Sequence, residues 1–227
     1  MKQIRFWMVP AVALLLAATQ FSVASAQQRG GRGFMGRGTS LLGLLNVEAV
    51  QKELELSDDA IEKIEKASEK IFSGMREKYA ELRDIDSWEE RLDKMEELGR
   101  EIDKQGYEEL GEGLMEREQF IRLMQIALQV RGPVRGLNNE FVANRLELTE
   151  EQKTKLAKIK SFAAKVTGKT ISGLRDASQE DRQAAFGKLR EIREKSSEKA
   201  LGVLTEDQKE QYEEMLGEEF EMPSRGR

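Results

Sequence analysis

Apolar residues that recur every three or four positions, with almost no proline to interrupt them, constrain this chain more than any other feature. Ser57 opens a run in which Ile61, Ile64, Ser68, Ile71, Met75, Tyr79 and Leu82 keep that spacing. Trp88, Leu92, Met95, Leu98 and Ile102 make a second stripe, and Phe120, Leu123, Met124 and Ala127 a third. Leu156, Ile159, Ala163, Val166 and Leu174 follow, then Ala185, Leu189 and Ile192, and finally Tyr212, Met215 and Phe220. A 3.6-residue period puts each set on one helix face, and no stretch alternates as a half-buried strand must. The chain is therefore expected to be all-α, built from amphipathic helical hairpins. Proline cannot continue a helix and restricts the residue before it, so Arg131-Gly132-Pro133 reads as a helix stop and connector.

The chain also repeats itself. LNVEAVQKELELSDD at 45–59 aligns with LNNEFVANRLELTEE at 137–151, an offset of 92, with Leu45/Leu137, Asn46/Asn138, Val50/Val142, Leu54/Leu146 and Leu56/Leu148 identical. Arg100-Glu101-Ile102 recurs as Arg190-Glu191-Ile192 at offset 90, and the segment from Met115 resembles that from Leu204 at offset 89. Two related units of about 90 residues follow, 41–132 and 133–222. Two copies are too few for a solenoid, which needs at least about three, so a pseudo-symmetric pairing is expected.

The ends of the chain read differently. Lys2 and Arg5, the apolar run Val9–Ala18 and the small residues Ala24-Ser25-Ala26 have the layout of a secretory signal peptide over 1–26. The Arg/Gly-rich stretch 27–40 lacks the apolar surface to offset its ordering entropy and reads as a disordered leader; 223–227 reads as a disordered tail. Removing Lys2 and Arg5 takes the formal charge from −5 to −7, a poor footprint for nucleic acid. There is no histidine and no cysteine, so the commonest general base, the thiol nucleophile and the usual zinc ligands are missing. No catalytic residue, cofactor, metal or small-molecule substrate is expected. With 35% charged and 6% aromatic residues, long solvated helices are favoured over a thick core.

The recurring motif is Leu-Thr-x-x-Gln, at Leu148-Thr149-Glu150-Glu151-Gln152 and Leu204-Thr205-Glu206-Asp207-Gln208. Its chemistry is that of a helix start. Threonine at the N-cap accepts from the N3 amide, glutamine at N3 reaches back to the cap amide, and the acidic pair complements the helix dipole. In the first unit it decays to Leu56-Ser57-Asp58-Asp59-Ala60, where the serine cap survives and the glutamine does not. Ser87-Trp88-Glu89-Glu90 is a further capping box. Gly74, Gly99, Gly106, Gly168, Gly173 and Gly187 interrupt helical patterns, each at a cost of about 1 kcal/mol relative to alanine. Kinks, helix ends or close packing account for them more readily than an adaptable surface does.

Two such motifs after a secretory signal, in a cysteine-free helical chain, resemble the LTxxQ family of Spy- and CpxP-like periplasmic proteins. The resemblance spans most of 44–220. It implies helical hairpins, an envelope-stress setting and either ATP-independent chaperoning or restraint of a membrane sensor. It further implies that Leu148, Thr149, Gln152, Leu204, Thr205 and Gln208 hold helix ends together, with Ser57, Ala60, Met115 and Gln119 as degenerate equivalents. This chain is acidic where the known chaperone members are basic, and it carries two units, so a cradle could form within one monomer rather than in a homo-oligomer. The expected function is non-enzymatic: chaperone-like shielding of exported protein clients. The alternatives are a regulatory module on a membrane sensor or anti-sigma partner, and a structural envelope role. Contact with a membrane surface stays open, and the motif names no client-binding residue.

Overall fold

Short polar side chains write the helix starts. In a computed structural model, which describes residues 40–110, 114–174 and 177–222, those residues form ten α-helices and no strand. The short α1 (Leu41–Leu45) and α2 (Glu48–Glu53) lead into α3 (Asp58–Gly74), α4 (Arg76–Glu81) and the long α5 (Trp88–Leu110). Helix α6 (Arg117–Gly136) crosses to the second half, where α7 (Glu140–Arg145) precedes α8 (Glu150–Ser172), α9 (Gln179–Leu201) and α10 (Glu206–Leu216). Ser40, Ser57, Asn139, Thr149, Ser178 and Thr205 each accept from an amide two or three residues on, satisfying donors the helix itself cannot. Composition places Ser40 in the leader; it is instead the buried cap of α1, 1% exposed. The signal segment, the rest of the leader and the 223–227 tail lie outside the described residues.

The stops before α3 and α8 share one geometry. The amide of Leu56 donates to Gln51 O at 3.0 Å and that of Leu148 to Ala143 O at 2.9 Å. Glu55 and Glu147 sit between at φ 50° and 49°, the left-handed region that closes such helix ends. Asn46 and Asn138, 92 residues apart, each donate through Nδ2 to the carbonyl four residues back at 2.7 Å. Asn46 also donates to Ser68 Oγ at 2.6 Å, which satisfies the one polar residue in the α3 stripe.

Two clusters of buried side chains result. The first gathers Leu42, Leu44 and Leu45 of α1 with Val50, Ile64, Ile71, Phe72, Leu98, Ile102, Leu123 and Ile126. The second gathers Leu128, Leu137, Val142, Leu146, Leu148, Leu156, Ala200, Leu204 and Tyr212. Helix α3 packs on α5, α8 on α9, α5 on α8, and α6 on α1, α8, α9 and α10. Where the first half has Leu44 and Leu123, the aligned positions of the second are Gly136 and Tyr212. The ring takes the space the leucine leaves: a Cβ on Gly136 would stand 2.8 Å from Tyr212 Oη.

Three expectations change in detail. The stop at 131–133 has no connector, because the chain re-enters helix at once and only Gly132, at φ 70° and ψ 172°, leaves helical geometry. Phe120, read as part of a core stripe, is 44% exposed. Phe220 keeps the helical spacing of Tyr212 and Met215, yet α10 ends at Leu216 and Phe220 lies on non-helical chain beyond it.

Candidate functional site

The two Leu-Thr-x-x-Gln motifs meet. Thr149 Oγ1 accepts from the Gln152 amide and Thr205 Oγ1 from the Gln208 amide, both at 3.2 Å, while each glutamine Oε1 accepts from its own threonine amide at 3.0 Å. The glutamine Nε2 groups then reach across. Gln152 donates to Gln208 Oε1 at 2.7 Å and to Val203 O at 3.0 Å; Gln208 donates to Gln152 Oε1 at 3.3 Å and to Leu146 O at 3.1 Å. Leu148 and Leu204 are buried beneath, 5% and 6% exposed. The glutamines are thus both cap and clasp, locking the starts of α8 and α10 to each other. In the first half Gln119 caps the Glu116 amide at 2.7 Å and donates to Leu54 O at 2.6 Å. Its facing position is Ala60, so the clasp is single there. Ser57 Oγ accepts from the Ala60 amide at 3.3 Å, Leu56 packs half-buried against the first core, and so does Met115.

A second junction sets α5 on α8. The ring of Trp88 covers Gly168 so closely that a Cβ there would fall 2.3 Å from Trp88 Cβ, so only glycine fits. Farther along, Lys160 Nζ reaches Glu96 at 2.8 Å and Asp93 at 3.1 Å, and Arg135 Nε reaches Glu96 at 3.0 Å. Deeper in, Asp103 accepts from the Leu42 amide at 3.3 Å, at the start of α1, and stands 3.8 Å from Arg131 beside the Gly132 kink. Burial pushes the Asp103 carboxyl up to about 6, against the pull of the Leu42 amide, Arg131 and the Leu41 amide. Burial likewise pushes the Tyr212 hydroxyl up to about 12.

Apart from those contacts the α8–α9 hairpin is a thinly packed arm. In α8 only Leu156, Ala164 and Gly168 are buried, and in α9 only Ser196 and Ala200. Ala185, Leu189 and Ile192 are half-buried, while Phe162 and Phe186 are 59% and 63% exposed. Val166, Lys169, Thr170, Ala184, Ala185 and Lys188 line a groove of about 350 Å³ between the two helices. Between Gln152 and Ser172 the chain carries six lysines and no acidic residue. Of these, Lys158, Lys165 and Lys169 form no ion pair with a described residue. Helical spacing puts Lys158, Lys165 and Lys169 beside Phe162, and Arg182 and Arg190 beside Phe186. The arm therefore offers apolar surface rimmed by cations. The motif reading does not point to it; the unbalanced lysine run is the signal that could have.

Among the described residues no group of acidic side chains is placed to hold a metal ion, and no helix is long and apolar enough to cross a membrane. Compared with protein-family models, curated proteins and solved structures, the chain matches none.

Proposed function

We propose that this protein is a non-enzymatic, periplasmic helical binding protein that shields partly unfolded exported proteins. The observation that carries the reading is the under-filled α8–α9 arm, which leaves Phe162 and Phe186 more than half exposed and an apolar groove between its two helices. Exposed large apolar side chains rimmed by charge are what a protein-binding face presents. The signal-like segment over 1–26 supports export, and the paired Leu-Thr-x-x-Gln motifs support the likeness to LTxxQ proteins.

The test is suppression of aggregation for several unrelated clients. The full chain should suppress all of them at near-stoichiometric ratio. Replacing Phe162 and Phe186 by serine should cut suppression several-fold and leave the melting temperature nearly unchanged, since neither ring is part of a core. Suppression unaffected by those changes, or none from the unaltered chain, would overturn the reading.

A further inference from the structure

Helix α10 ends at Leu216, and the chain then turns back across the molecule. Gly217 makes the turn at φ +65° and ψ −154°. A Cβ at Gly217 would fall 2.3 Å from Gln125 Cδ, so the backbone passes directly over the α6 surface. Residues after it run without helix: Glu218 and Glu219 are exposed, and from there Phe220 and Met222 are half-buried against the first core with Glu221 exposed between them. Over Glu219–Met222 that alternation is the period of an extended segment with one face seated.

Side chains of α6 hold the segment by its backbone. Gln129 Nε2 donates to the carbonyls of Leu216 and Glu218, both at 2.7 Å, and Gln129 Oε1 accepts from the Phe220 amide at 2.8 Å. Arg122 Nη1 donates to Glu218 O at 2.7 Å while its Nε is fixed by Glu53 of α2, also at 2.7 Å. None of these bonds reads the side chain of Glu218, Glu219 or Glu221. What the surface selects is an extended backbone plus two apolar side chains at alternate positions. Extended-peptide recognition works this way, with main-chain bonds giving affinity and alternate sockets giving specificity.

We infer that the α6 face bearing Arg122, Gln125 and Gln129 is a binding site for extended protein segments with apolar residues two positions apart, occupied in cis by residues 217–222. The inference rests on the client-shielding reading and names the class of client segment. A tethered occupant acts at an effective concentration of about millimolar order. The site is therefore latent until a client segment outcompetes the chain's own.

The test keeps the full chain and empties the sockets with Phe220→Ser and Met222→Ser. A labelled peptide of the sequence LGEEFEMPS should bind this variant at least tenfold tighter than it binds the unaltered chain, read by fluorescence anisotropy. A peptide with its Phe and Met replaced by serine should not bind. Adding Gln129→Leu should weaken the peptide at least tenfold, and an unfolded client should compete. Equal or absent binding to both chains, indifference to Gln129→Leu, or no competition by the client would overturn the site. So would dimers of the unaltered chain, seen by light scattering, that vanish in the serine variant, because the occupant would then be a second copy's tail. Should the serine variant lose helix, amide exchange at Phe220 in the unaltered chain decides: excess peptide should accelerate it, and no acceleration overturns the site. A chain that suppresses no client's aggregation yet exchanges its tail for both peptide and unfolded client would sink the shielding reading and support the site.

Discussion

The hairpin of α3 and α5 carries Ile64, Ile71, Phe72, Leu98 and Ile102 at 5% exposure or less, whereas the hairpin of α8 and α9 buries nothing larger than Leu156. Both open on the same caps and leave the same left-handed stop, so local signals do not make the difference. The difference is what lies against them. Leu42 and Leu44 of α1 fill the first hairpin, with Leu42 lying over Gly106 of α5. In the second half the aligned stretch is Val134–Leu137, at the end of α6, where Gly136 stands against Tyr212 and Leu137 joins only the base of the arm, at Leu156 and Ala200. The first hairpin is filled by α1 and buries its stripe; the second has no such filler and leaves more apolar surface exposed.

The comparison breaks most easily at Ile102 and its aligned partner Ile192. Ile102 is 0% exposed, so Ile102→Ala should cost about 2–5 kcal/mol in urea unfolding. Ile192 is half-buried, and Ile192→Ala should cost about 1 kcal/mol. Equal losses would mean that the arm is as well packed as the first hairpin.

A smaller effect is confined to the first hairpin, because no acidic residue of α9 is buried. Asp103 has its carboxyl raised from 3.8 to about 6, so between those values the folded chain holds a proton that the unfolded chain has released. The site's contribution to stability therefore falls as pH rises from about 4 to 6 and is flat above, by at most about 3 kcal/mol. Melting temperatures of the unaltered chain and Asp103→Asn, taken across that range, should differ in slope with this sign. Parallel curves would show Asp103 titrating as an exposed carboxylate does.

The smallest effect tests what the halves still share. Glu55 and Glu147 sit at φ 50° and 49°, where glycine avoids a steric cost of about 1–2 kcal/mol but loses more chain entropy on folding. Glu55→Gly and Glu147→Gly should each raise stability by about 0.5–1 kcal/mol, by equal amounts in both halves. A gain at one position only would separate the two stops.

The all-α class was legible because period-3.6 stripes and few prolines admit nothing else, and Ser57, Thr149 and Thr205 mark helix starts by their own side chains. The left-handed stops were not legible, since Glu55 and Glu147 carry none of the glycine or asparagine signal for that conformation. Nor could spacing tell that Ala185, Leu189 and Ile192 would stay half-exposed while Leu98 and Ile102 disappeared. A stripe states which face is apolar, not whether another element arrives to cover it. Gln152 and Gln208 were readable as caps, but their second bonds depend on two helix starts 56 residues apart meeting in space. Phe220 misled because helical spacing continued past Gly217, whose turn outweighs it.

The mutual bond between Gln152 and Gln208 joins two neutral amides. Neither gains or loses a proton in the range where proteins stay folded, and neither attracts counterions, so salt and acid leave the clasp unchanged. The ion pairs around α5 are of the opposite kind: Lys160 of α8 with Asp93 and Glu96, and Arg135 of α6 with Glu96, weaken as ionic strength rises. As salt rises those ion pairs loosen first, while the clasp and the packing of Trp88 on Gly168 hold.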